Sequence, residues 1–173
     1  MARIQANGVD AYLQKLEKLN QNTDAACKKT VYAGAKVVGD AIMAAIDALP
    51  VPEPPKGQKY FYLSDAARES GVLISGLSEE QKQGLKDGFG IAQMAHENGG
   101  WNTKIGFDGY NSVKTKAHPK GQPNAEVARS AEGGSSIQQK TPFIAPAVRQ
   151  ARKAAQDAME KTMEQQVQEI INR

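Results

Sequence analysis

The sequence predicts an α+β domain in which a long N-terminal and a long C-terminal helix pack on a small, mostly antiparallel sheet. Apolar residues recur at three- and four-residue steps near both ends of the chain. Large residues alternate on either side of an Asn98-Gly99 turn signal in the middle. The 173 residues are enough for one self-sufficient core, so a single domain over 1–173 is expected.

Val9, Tyr12, Leu13, Leu16 and Leu19 form the first stripe, with Asn7 or Asp10 as its cap. After Asn20-Gln21-Asn22-Thr23 a second helix is expected, its stripe running through Val31, Gly34, Val37, Val38, Ala41, Ile42, Ala45 and Leu49 to Pro50. Gly34 and Gly39 inside it each cost about 1 kcal/mol against alanine, so a close approach of another element is the expected compensation. The proline-rich run at 50–57 favours extended backbone and acts as a connector, or as an arm laid on a neighbour. A helical turn is expected over Ser64–Ser70.

Ser78 and Gln81 have capping-box spacing and predict a short helix ending near Gly84 or Gly88. A hairpin follows, with Phe89, Ile91 and Met94 on one arm and Trp101, Ile105 and Phe107 on the other. Residues 109–123 are loop-like, and Ala125–Ala131 forms a short helix closed by Gly133 and Gly134. Pro146 suits the first turn of the terminal helix, whose stripe is Val148, Ala151, Ala155, Ala158, Thr162, Val167 and Ile170. No internal repeat is present.

Charge and composition narrow the function. With 22 basic against 19 acidic residues the net charge is +3, too small to announce a nucleic-acid or membrane partner without local clustering. Cys27 is the single cysteine, which rules out an intrachain disulfide and any all-cysteine metal site, and fits a reducing compartment. No stretch approaches the ~20 apolar residues of a membrane span, and no sustained apolar leader opens the chain, so a protein that starts in the cytoplasm is expected.

Chemistry-bearing patterns are sparse. His96 with Glu97, and His118, match no metal-ligand spacing and read as hairpin and loop residues. The glycine pairs at 99–100 and 133–134 lack the lysine and serine of a phosphate loop, and no nucleophile elbow occurs. No catalysis, metal or cofactor is expected. Lys114, Lys116 and Lys120 form a basic run that reads as a solvated loop, or as a contact for DNA phosphates or an acidic partner. In the last helix Arg149, Arg152 and Lys153 lie early while Glu160, Glu164 and Glu169 lie late, against the helix dipole, which is either a tolerated surface or the seat of an acidic neighbour.

Val72–Leu77, Phe89–Ile91, Ile105–Asn111, Val127–Ser136 and Thr141–Val148, together with Ala48-Leu49-Pro50, run in an order that resembles the phage head-tail joining (neck, tail-completion) proteins related to lambda minor tail protein Z. The block ending Glu132-Gly133-Gly134-Ser135-Ser136, followed by Pro142-Phe143-Ile144 and Pro146-Ala147, is its most specific part. Pro52–Gly71 is longer and richer in proline than the family pattern, so partner contacts there are not carried over. The resemblance implies a virion protein of the neck, assembled in the host cytoplasm. It implies a homo-oligomeric ring, of six copies, meeting tail terminator and head-completion proteins, with no catalysis and no cofactor.

Tyr110, Arg129, Glu132, Phe143 and Arg149 are the interface candidates, since aromatic residues and arginine are enriched where binding energy concentrates. Phe143 reads equally as core packing, and Tyr110 as a hairpin-edge residue. The alternative function is a DNA-binding or channel-lining protein, favoured if Lys114, Lys116 and Lys120 cluster with Arg129 and the Arg149 group. An enzyme completed only on assembly is a further alternative.

Overall fold

The computed structural model describes residues 9–53, 71 and 73–172. The elements are α1 (Val9–Asp47), α2 (Glu79–Gly88), the strands β1 (Phe89–Ile91), β2 (Ala95–Glu97), β3 (Gly100–Asn102) and β4 (Ile105–Phe107), then α3 (Asn124–Gly133) and α4 (Ile144–Asn172). This is the expected α+β arrangement with long helices at both ends. The expected turn at Ser64–Ser70 and the second half of the 50–57 connector lie outside the described residues.

Where two helices were expected up to Pro50, one helix of 39 residues stands. The polar run that was to break it does not, because its side chains bond back to the preceding turn. Asn22 Nδ2 donates to the Lys18 carbonyl at 2.8 Å and Thr23 Oγ1 to the Leu19 carbonyl at 2.7 Å. Hydrogen bonds of this i to i−4 kind let such residues sit inside a helix.

α1 and α4 lie antiparallel. Gly34 faces Met159, where an added Cβ would come within 2.6 Å of the sulfur, and Lys29 Nζ donates to Gln166 Oε1 at 2.6 Å. Gly34 is thus the close approach expected of it, whereas Gly39 leaves ordinary contact space beside Phe89, 3.7 Å from where a Cβ would stand. The buried positions on this seam are mostly small: Ala26, Thr30, Gly34 and Ala35 on α1, Ala151 and Ala155 on α4, with Ile170 the one large residue, near the end of α4. Near its start α4 buries Ala147, while Val148, expected on the stripe, is 40% exposed.

The main core gathers at the other end of the helix pair. Ile42, Ile46 and Leu49 of α1 meet Leu77, Leu85 of α2, Val127, Ala128 and Ala131 of α3, and Phe143 and Ala147. α1 ends there under two lysines of α2: Lys82 Nζ donates to the carbonyls of Asp47 and Leu49, and Lys86 pairs with the Asp47 carboxylate at 2.7 Å. Cations at a helix C-terminus satisfy its free carbonyls and oppose its negative end. The Lys86 hydrogen bond also holds the Asp47 carboxyl below its ordinary value and Lys86 above its own.

α2 begins with the expected capping box, Gln81 N donating to Ser78 Oγ at 3.2 Å and Ser78 N to Gln81 Oε1 at 3.0 Å. The hairpin turns at Asn98 (φ 52°) and Gly99 (φ 78°), the double positive φ of a type I′ turn. Its ladder is interrupted once. β1 pairs with β4 as Phe89↔Phe107 to Ile91↔Ile105, and β2 with β3 as Ala95↔Asn102 to Glu97↔Gly100. The register therefore slips by one residue between the two pieces, as a bulge requires. The hairpin tip docks on α1 through Trp101, whose Nε1 donates to Asp24 Oδ1 at 3.1 Å and whose ring carries Lys28 Nζ 4.1 Å from its centroid.

Candidate functional site

Three features organise the candidate surface: a cap inside the fold, a basic cleft, and a projecting helix.

The cap is centred on Glu132, near the end of α3. Its carboxylate accepts from the backbone N–H groups of Phe143 (2.7 Å), Ile144 (2.8 Å) and Ala145 (3.0 Å). The next residue, Pro146, has no N–H, and Ala147 N makes the first helical bond, to the Phe143 carbonyl. Every free donor at the start of α4 is accounted for by one side chain and one proline. Partial burial pushes the Glu132 carboxyl up, but the three N–H bonds together with Lys140 outweigh it and hold it below its ordinary value. Glu132, expected at an interface, thus spends its carboxylate within the fold. Phe143 is 4% exposed and packs edge-on against Phe107, so it is a core residue and not an interface anchor.

The other interface candidates are at the surface. Tyr110 is 70% exposed beside its bridge to Pro123, Arg129 is exposed on α3, and Arg149 is exposed on the first turns of α4. His96 lies across the hairpin from Trp101, edge to its ring. Among the described residues no three His, Cys, Asp or Glu side chains gather as a metal group would require. Also among them, no helix is long and apolar enough to cross a membrane.

The cleft lies between the 111–123 loop, α3 and the 134–138 segment, with a volume of about 940 Å³. Lys114 and Lys116 on the loop and Arg129 on α3 line it together with Glu126, Ser130 and His118. Lys120 and the Arg149 group do not. The loop is braced: Val113 N donates to Asn111 Oδ1, Thr115 and His118 exchange backbone hydrogen bonds, and His118 Nε2 stands 3.1 Å from Glu126 Oε2 on α3.

The projection was not expected. Val9, Tyr12, Leu13 and Leu16 are 47%, 63%, 55% and 43% exposed, although their spacing reads as a buried stripe. Val9, Tyr12, Leu16, Leu19 and Thr23 continue in steps of three and four into Ala26 and Thr30, the first α1 positions buried on the seam. The register set by Gly34 and Lys29 places the end of α4 beside about residue 22, so roughly 20 Å of α1 extends past it. No signal in the α1 sequence gives this away, since it depends on where α4 stops.

Neither a family model, nor a curated protein, nor a solved structure matches this chain.

Proposed function

We propose that the chain is a non-enzymatic assembly subunit, a phage-type neck or tail-completion protein that builds a ring at the head-tail junction. One observation carries this reading: the stripe Val9, Tyr12, Leu13, Leu16 prolongs the α1–α4 seam beyond the end of α4. A contiguous apolar face of this kind is the mark of a protein contact. Because the same face packs against a helix farther along α1, the fitting occupant is another helix, here one of a neighbouring copy. The resemblance of the order of sequence blocks to neck proteins points the same way and is the source of the expected copy number of six. A contact between different surfaces of identical subunits closes into a ring when the rotation allows it.

The test is absolute mass by light scattering, alone and with tail tubes of the same particle, followed by imaging of the tube ends. A ring, free or on one tube end, is expected, and Leu13→Lys with Leu16→Lys should abolish it while leaving the thermal melt in place. A chain that stays monomeric and ignores tubes would overturn the reading.

A further inference from the structure

We infer that the cleft between the 111–123 loop and α3 is a phosphate-contacting site for duplex nucleic acid. The inference does not depend on ring formation. It begins from placement: Lys114 and Lys116 are separated from Arg129 by more than ten residues, yet all three line one cleft with exposed side chains. The loop that carries the lysines is held by its own hydrogen bonds and by His118 on Glu126, so the charges stand on a braced wall opposite α3.

The chemistry favours phosphate. Lys114, Lys116 and Arg129 offer fixed positive charge, and the Ser130 hydroxyl offers a neutral donor, the groups that dominate contacts to nucleic-acid backbones. Among the described residues the one aromatic ring lining the cleft is His118, and its Nε2 is held 3.1 Å from Glu126 Oε2, so they offer no free ring on which unpaired bases could stack. That selects the backbone of a duplex over a single strand, and contact without base sequence. Among the described residues Glu126 is the one carboxylate lining the cleft, and its charge opposes an anion there.

Three cations on three phosphates give a slope of log affinity against log salt of about −2.7. Fluorescence anisotropy with a labelled 20-base-pair duplex, titrated from low to moderate salt, reads it directly. The full chain should bind with that slope, whatever the base sequence. Replacing Lys114, Lys116 and Arg129 by Gln should lower affinity at least tenfold and flatten the slope, while Glu126→Gln should raise affinity. All four side chains lie at the surface, and melting curves of each variant will show that the fold stands. Absence of binding at low salt, equal binding by the triple variant, or preference for a polyglutamate peptide over duplex DNA would each overturn the proposal, the last in favour of an acidic protein partner. Light scattering of the same triple variant separates this result from assembly, because its mass should match that of the unaltered chain.

Discussion

Glu132 and Phe143 are 11 residues apart, and the bond between them ties together two segments that the sequence alone shows only as neighbouring blocks. The glutamate caps the helix that the proline-flanked segment begins, so the two halves of the block need each other for a structural reason. Glu132→Ala removes the acceptor for three N–H groups and should cost about 2 kcal/mol, a fall of roughly 4–8 °C in melting temperature. The carboxyl titrates below its ordinary 4.5 in the folded chain. Its stabilisation is therefore complete above that value and is lost as pH falls through the lower folded one. Melts recorded between about pH 5 and 3 should show this acid-dependent loss in the native chain and a weaker one in Glu132→Gln. Gly84 and Gly88 make a second residue-scale case. A Cβ at Gly84 would stand 2.4 Å from Asn111 Cβ, and one at Gly88 would stand 2.1 Å from the Asp108 carbonyl oxygen. Alanine at either should cost about 3 kcal/mol by chemical denaturation, against near neutrality at Gly90, which faces open space. Spacing marked Gly84 and Gly88 as possible ends of α2. The loop at 108–111 that presses on them was beyond what spacing can reveal.

At the scale of elements, local signals were legible and distant ones were not. The Ser78 capping box, the Asn98-Gly99 turn and the closure of α3 at Gly134 involve partners a few residues apart, and all were readable from the chain. α1 was misread as two helices because Asn22 and Thr23 can cap or break a helix as easily as bond back along it, and the choice is made by the continuous seam they join. Phe143 was left open between core and interface because residue type alone does not tell a core aromatic from a surface one, and the capping role of Glu132 was hidden because its partners lie 11 to 13 residues away. The projecting part of α1 leads to a measurement: amide exchange from Val9 to about Asn22 should be slower than in an unfolded chain but faster than from Gly34 to Ile46, with protection rising where α4 begins to cover the helix.

Taken together, the described residues form a head, where their four helices and the hairpin meet around Ile46, Leu77 and Leu85, and a two-helix stalk whose buried positions are small except for Ile170. Stability should concentrate in the head. Leu85→Ala, at a fully buried side chain, should lower unfolding free energy by about 2–5 kcal/mol. Leu16→Ala on the projection should leave the melt of the isolated chain nearly unchanged. Finding the reverse order in denaturant titrations would mean that the stalk, not the head, holds the fold. The basic cleft and the apolar projection belong to different parts of this plan, so substitutions in one should not disturb the readout of the other.

The bonds of Asn22 and Thr23 to the turn before them have a thermodynamic consequence for any partner of the projection. An arm that becomes helical only on contact loses backbone freedom residue by residue as it docks, and that loss subtracts from affinity. Here the segment is already wound as an extension of a helix anchored in the head, so association confines few new backbone angles. A modest apolar contact of four side chains can then hold a neighbour that a flexible tail of the same composition would release.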